Sequence, residues 1–356
     1  MRIPGGRAPR GSVHAVIIRQ QGGPEVLHWQ EVPTPEPGPG EVRVRLRAAA
    51  LNHLDVWNRT GVPDGPGALK GRIPGADGAG VVDQVGPGVD PAWVDRRVVI
   101  NPGISCGRCQ ACLSGWDTLC REYTVLGTGR DGTYAEYVTV PAANLLPMPP
   151  RLSFEEAAAF PLTFLTAWHM LVALARVQPG ESVLVWGAGS GVGVAAIQVA
   201  RLFSAQVFAT VGSDEKLERA LELGAARVFN HTNQDVHSEV KALTGKRGVD
   251  VVVEHTGEAT WDQSVRALAP RGRLVTCGAT TGPNGATHLR HLFAKQLQIL
   301  GSYMGSKSEL WELLPHVNEG RLRPVVDSVH PLAGAAEAHR RMDERQHFGK
   351  IVLRVD

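Results

Sequence analysis

From residue 13 to about 150, apolar and polar residues alternate in short runs that are broken by Pro and Gly, the period of half-buried strands. The run EVRVRLR at 41–47 is bounded by the Pro/Gly cluster at 33–40. The stretches 80–85, 97–100 and 132–140 continue the pattern, which predicts an irregular barrel or sandwich. From 153 the period changes. SFEEAAAFPLTFLTAWHMLVAL predicts a helix opened by Ser153 with Glu156 three residues on, a capping box. After a Pro-Gly turn at 179–180, strands at 182–186, 206–211, 226–229, 249–253 and 271–279 alternate with helices from 192 and over 214–223. That alternation predicts an α/β doubly wound parallel sheet. The last fifty residues return to mixed helix and strand. Residues 1–12 are rich in Gly, Pro and Arg and are expected to be disordered, with the native start near Val13.

The 356 residues exceed a usual single domain, so two are expected. With 43% apolar and 20% charged residues the composition is that of a globular protein, which excludes a disordered tail, a collagen and a coiled coil. Net charge is +2 with signs interspersed, against binding nucleic acid by phosphate neutralisation. No apolar run is long enough to span a bilayer, and the N-terminus lacks the apolar stretch of a secretory signal. A soluble, cytoplasmic, two-domain protein is expected.

Four of the five cysteines, Cys106, Cys109, Cys112 and Cys120, crowd into one segment spaced C-x2-C-x2-C-x7-C. Four thiolates in one lobe suit a tetrahedral zinc. An iron–sulfur cluster begins with the same spacing but continues x3-C-P, whereas here Arg121 follows Cys120. Two disulfides are the other alternative, disfavoured in a reducing compartment. Cys277 stands alone in an apolar stretch and reads as core.

The sheet region opens with LVWGAGSGVGVAAIQVA, in which Gly187, Ala188, Gly189, Ser190, Gly191, Val192 and Gly193 lead from a strand into a helix. Glycines there allow a tight turn and a close backbone approach to a pyrophosphate at the helix N-terminus, which predicts a dinucleotide site.

Taken with GGPEVL (22–27), LNHLDVWNRTG (51–61), PGADGAGVV (74–82) and FGKIVL (348–353), these motifs resemble the medium-chain dehydrogenase/reductase superfamily. That superfamily holds the zinc-type alcohol dehydrogenases and their quinone oxidoreductase relatives. The resemblance runs from Val13 to Val355. It implies a GroES-like catalytic domain over 13–160, a Rossmann cofactor domain over 161–303 and a return to the first domain over 304–356. It makes the four-cysteine lobe a structural zinc site, and a homodimer is expected, with a tetramer as the alternative.

The catalytic metal is where the sequence departs from the zinc enzymes. The positions that hold it in the family match Asn52, Ala76 and Leu162, an amide, a methyl group and an isobutyl group. Asn52 and Asp55 instead match the N-x-x-D of quinone oxidoreductase-like members. Without a metal to lower a hydroxyl pKa, reduction of an activated acceptor, a quinone or an α,β-unsaturated carbonyl, asks least of the protein. Asn52, His53, Asp55 and Trp57 are the catalytic candidates. Asn52 and Asp55 read equally as a buried pair holding their loop, His53 as a pyrophosphate contact and Trp57 as pocket wall.

Thr166 matches the threonine beside the nicotinamide in relatives, and Gly278 lies where the family backbone passes it. Lys350, in the closing Gly-Lys motif, is a further cofactor candidate, with a solvated surface lysine as its alternative. The second strand of the sheet ends at Val211 where NAD enzymes carry an acid, while Ser213 and Lys216 suit a 2′-phosphate. NADP(H) is therefore expected before NAD(H). The rival readings are a zinc-dependent alcohol dehydrogenase with unorthodox ligands and a cofactor-binding protein that catalyses nothing.

Overall fold

The structure, a computed structural model, describes residues 11–61 and 71–356. The expectation of disorder for 1–12 lies outside the described residues up to position 10; Ser12 already starts a strand. The chain divides into two compact units, Met1–Leu162 with Val326–Asp356, and Thr163–Val325.

The first unit is β-rich. Its strands are β1 (Ser12–Ile18), β2 (Leu27–Pro33) and β3 (Glu41–Ala50), followed by helix α1 (His53–Thr60). Then come β4 (Asp77–Val85), β5 (Arg97–Ile100), β6 (Gly103–Ile104), α2 (Gln110–Leu113) and β7 (Thr124–Val125). The segments β8 (Tyr137–Pro141), β9 (Leu145–Pro147), α3 (Phe154–Ala158) and α4 (Pro161–Trp168) carry the chain to the second unit.

The second unit alternates strand and helix: β10 (Ser182–Val185), α5 (Gly191–Leu202), β11 (Gln206–Val211), α6 (Leu217–Glu222), β12 (Arg227–Asn230) and α7 (Val236–Leu243). It continues with β13 (Val249–Glu254), α8 (Glu258–Ala267), β14 (Leu268–Thr276), α9 (Leu289–Ala294), β15 (Gln298–Gly301) and α10 (Lys307–Asn318). The chain then re-enters the first unit through β16 (Val326–Pro331), α11 (Ala335–Asp343) and β17 (Lys350–Arg354).

In the first unit a seven-stranded sheet runs β16-β17-β3-β4-β5-β9, with β8 on β3. The long strand β3 pairs with β4, β8 and β17, and its inward Val42, Val44 and Leu46 join a core with Ile18, Ile100, Leu126 and Leu353. This pairing brings the C-terminal β17 beside β3, so that residues near 50 and near 350 are neighbours.

The second unit has the order β12-β11-β10-β13-β14-β15, all parallel, the arrangement of a dinucleotide-binding sheet. Its central strands β10, β11 and β13 are near-continuous apolar runs, buried along almost their whole length, whereas the outer β15 is largely exposed. Leu184, Phe208, Val252 and Leu274 pack in its core.

Several expectations differ from what is observed: the strand expected over 132–140 is Tyr137–Pro141, and the one expected over 271–279 is Leu268–Thr276. The helix from Ser153 stops at Ala158 and restarts at Pro161, then passes through a π-helical turn, His169–Leu174. Its capping box is present: Ser153 Oγ accepts from Glu156 N–H at 3.2 Å and the Glu156 carboxylate from Ser153 N–H at 2.9 Å. Pro161 ends the first piece because it has no N–H for an interior helix bond and is suited to a first turn. The return to the first unit begins at Val326, not 304. Helix α10 buries Leu310, Leu313 and Val317, its Glu309 meets His169 at 2.8 Å, and Arg323 N–H donates to Gln198 at 2.8 Å, all within the second unit.

Candidate active site, zinc lobe and cofactor loop

Helix α1 is capped by Asn52 and ends at Gly61, and that cap with the first five helical residues carries all four catalytic candidates. Asp55, at the third helical position, accepts from the Asn52 backbone N–H at 2.8 Å, half of a capping box. Its other oxygen accepts from Gly75 N–H at 3.1 Å, and Tyr134 donates its hydroxyl to the first at 3.3 Å. Asn52 Oδ1 accepts from the Lys350 ammonium at 2.5 Å. Asn52 Nδ2 donates to Asp77 Oδ2 at 2.9 Å and lies 3.4 Å from the Ala50 carbonyl. Asp77 also takes Lys350 Nζ at 3.0 Å, and its second oxygen accepts from Leu162 N–H at 2.9 Å.

Asn52, Asp55, Asp77 and Lys350 therefore form one buried polar network. Burial pushes the Asp55 carboxyl up to about 6, against the Asn52 N–H and the Lys350 charge that pull it down. Behind Tyr134, the His339 ring stands 3.3 Å from the phenol oxygen, and burial with the nearby Arg59 charge drives its pKa down to about 3, so it is neutral.

The network decides what each candidate can do. Both polar ends of the Asn52 amide and both oxygens of Asp55 are engaged within the unit, so these two hold α1 in place. Lys350 is buried, not a solvated surface lysine. His53 is exposed and Trp57 half-buried on the same face of α1, with their rings edge to face at 5.3 Å. Ala76 and Leu162 offer no metal donor, and an ammonium occupies the side of Asn52 and Asp77 that a cation would take. These residues do not fit a zinc ion.

The cysteine lobe does. The four Sγ atoms of Cys106, Cys109, Cys112 and Cys120 lie within 4.8 Å of one another, with Cys106–Cys112 at 3.9 Å and Cys109–Cys112 at 3.5 Å. A tetrahedron of sulfurs around zinc has edges of about 3.8 Å. Backbone N–H groups already point at the sulfurs, Cys109 to Cys106 and Glu122 to Cys120, each at 3.4 Å. The N–H groups of Arg108 and Cys109 draw the Cys106 pKa down to about 6, while Cys109 in the same cluster is held up to about 11. None of the five cysteines is in a disulfide. Cys277, expected as core, is half-buried just after β14, and burial, then the Glu254 charge, pushes its thiol up to about 12.

In the second unit the glycine loop leaves β10 and enters α5. Gly187 has φ +59°, the left-handed region. A Cβ at Gly193 would stand 2.2 Å from the Gly187 carbonyl oxygen, so only glycine allows the helix to approach the turn this closely. Ser190 caps α5 by accepting from Gly193 N–H at 2.9 Å. The remaining first-turn N–H groups are the donors a pyrophosphate takes. The loop therefore fits a dinucleotide, which when bound supplies or accepts a hydride.

Thr210 at the end of β11 anchors the loop: its hydroxyl accepts from Gly187 N–H at 3.1 Å and its carbonyl from Ala188 N–H at 2.7 Å. Val211 ends β11 buried, and the Asp214 carboxylate is tied to Asn230 at 2.7 Å. Ser213 and Lys216 stand half-exposed beyond the strand. Thr166 is buried on α4, and a Cβ at Gly278 would meet the His255 carbonyl at 2.8 Å.

Sequence reasoning misses Asp77 as a partner of Lys350, and misses Tyr134, His339, Thr210 and His255. Each acts through a contact with a distant stretch of chain, and no local spacing marks them. Asp77 alone carried a signal, an acid within the glycine-rich PGADGAG.

Comparisons with known proteins cover both units. A family model described as alcohol dehydrogenase GroES-like domain matches residues 38–150, and one described as zinc-binding dehydrogenase matches 191–319. An alcohol dehydrogenase of Geobacillus stearothermophilus is 34% identical over 96% of this chain and 99% of its own. A quinone oxidoreductase of Rattus norvegicus is 30% identical over 96% and 97%. A solved structure described as an NAD-dependent alcohol dehydrogenase is 56% identical, covers 96% of this chain and 100% of its own, and superposes with a TM-score of 0.91. No described helix is long and apolar enough to cross a membrane.

Proposed function

Because the chain belongs to the medium-chain dehydrogenase/reductase superfamily, and so is an NAD(P)-dependent oxidoreductase with a zinc-binding cysteine lobe, we propose that it reduces a quinone or an α,β-unsaturated carbonyl without a catalytic metal. The observation that carries this reading is the Lys350 ammonium, 2.5 Å from Asn52 Oδ1 and 3.0 Å from Asp77 Oδ2. A cation already neutralises the carboxylate that would recruit a metal, and two of the three family ligand positions are hydrocarbon. A likeness to quinone oxidoreductases supports the same acceptor class.

In this reading Asn52, Asp55, Asp77 and Lys350 hold the N-terminal turn of α1, and His53 with Trp57 supplies ring N–H donors to the acceptor oxygen. The dipole at the start of α1 favours the negative charge that develops there. The glycine loop, Ser190 and Thr166 hold the cofactor. The lack of an acid at the end of β11, together with Ser213 and Lys216, favours NADP(H). Four clustered reduced thiols suit a cytoplasmic enzyme.

A homodimer fits the outer strand β15, where Ile299 and the following Tyr303 are exposed alongside Leu289 and Phe293 of α9. Sedimentation of a monomer at micromolar concentration would overturn that assignment.

The test of the acceptor class is NAD(P)H oxidation over a panel of quinones and enones, before and after dialysis against a strong chelator. Turnover that survives chelation of solvent-accessible metal supports the reading. A second reading, oxidation of an alcohol with NAD+, is favoured by the likeness to the 56% identical dehydrogenase. It wins if alcohols with NAD+ turn over and the acceptor panel stays at background.

A further inference from the structure

His255 follows the last residue of β13 and lies against the turn from which the glycine loop starts. Its Nε2 is 2.7 Å from the Trp186 carbonyl oxygen and 3.3 Å from the Ser190 hydroxyl oxygen. A carbonyl only accepts, so Nε2 carries the imidazole hydrogen and shares it unequally between the two oxygens. The ring also packs on the loop: a Cβ at Gly187 would stand 3.1 Å from His255 Cε1. Burial lowers the His255 pKa, which keeps the ring neutral at neutral pH.

The consequence falls on Ser190. Its oxygen accepts from Gly193 N–H at 2.9 Å and takes the weaker arm of the His255 bond. With both lone pairs engaged, the hydroxyl has only its hydrogen left to give. That hydrogen sits at the cap of the twelve-residue helix α5, among first-turn N–H groups that have no intrahelical partner. An N-cap serine with a free lone pair can turn its hydrogen in several directions; this one cannot.

We propose that His255 is a positioning residue for the cofactor pyrophosphate. It holds the Trp186 carbonyl and one lone pair of Ser190, and so aims the Ser190 O–H at a phosphate oxygen and fixes the loop that receives it. This rests on the glycine loop as the dinucleotide site and is independent of which acceptor is reduced.

The experiment is titration without turnover: NADPH and NADH by fluorescence, ADP-ribose by calorimetry, and adenosine as a competitor of NADPH. His255→Ala is expected to weaken both dinucleotides and ADP-ribose about tenfold, and to leave adenosine, which has no phosphate, within about twofold. His255→Gln, whose amide N–H reaches about as far as Nε2, is expected to restore most of the loss. Unchanged ADP-ribose binding in the Ala variant overturns the proposal, as does equal weakening of adenosine or a Gln variant no better than Ala. Should His255→Ala not fold, Ser190→Gly carries the same test, because glycine replaces serine at an N-cap at a cost of only a few tenths of a kcal/mol. The same phosphate-selective loss is expected, and its absence overturns the assignment. Failure of the wild type to bind any dinucleotide would instead sink the cofactor reading of the loop.

Discussion

The Lys350 ammonium meets the Asp77 carboxylate at 3.0 Å across 273 positions of sequence, and both side chains are out of solvent. Taking one partner away strands the other charge in the interior. Lys350→Met is therefore expected to lower the unfolding free energy by about 3–5 kcal/mol in urea denaturation. Adding Asp77→Leu to it should recover part of the loss, because the double variant leaves no lone charge. A Lys350→Met protein as stable as the wild type would mean that the pair contributes nothing.

Asp55 gives the enzyme a stability that depends on pH. Its folded carboxyl titrates near 6 against 3.8 for an ordinary aspartate, chiefly because it is buried, beside Lys350, Asp77 and Tyr134. Between about pH 4 and 6 the folded protein thus binds the Asp55 proton more tightly than the unfolded chain, so this group favours folding at low pH. That contribution is lost as pH rises through about 6, by about 3 kcal/mol in all. Against Asp55→Asn, the wild type should lose most of this, about 2–2.5 kcal/mol, between pH 4 and 7. A difference that stays constant over the window contradicts the assignment.

Gly193 admits no side chain, since a Cβ would press into the Gly187 carbonyl. Gly193→Ala must push the helix off the turn, a strain of about 1–3 kcal/mol. It should weaken NADPH binding at least about tenfold in a fluorescence titration. Binding as tight as wild type would show that the close approach is unnecessary.

Lys216 carries the nucleotide preference in the proposed reading. Lys216→Ala is expected to raise KM for NADPH about tenfold and to leave KM for NADH within about twofold. Equal effects on the two cofactors, or a wild type that prefers NADH, would move the preference to NAD(H).

What could be read ahead of the structure follows the range of the interactions involved. Strands 97–100 and 206–211 are legible because alternation or an apolar run between turn residues is a local signal, and they stand at those bounds. The capping box of Ser153 is local too, as is the cysteine lobe, whose ligands come from one loop and its return. The break of the helix after Ser153 is not legible, because apolar periodicity carries straight through Pro161. The residues that surround α1 come from strands β4 and β17, from Tyr134 and from His339. Only the pairing of β3 with both neighbours brings them together, and no spacing in the sequence records that pairing. Asn52 and Asp55 read equally as catalytic groups or as a buried pair holding their loop, and their polar atoms are spent on Lys350, Asp77, Gly75 and Tyr134, as in the second of these readings.

The central claim is a zinc lobe in a protein whose reaction uses no second metal. The zinc content per chain, measured on protein purified without added metal, tests it directly. About one zinc per chain is predicted, held by Cys106, Cys109, Cys112 and Cys120. About two would contradict the account, because the second ion would have to displace the Lys350 ammonium from Asn52 and Asp77.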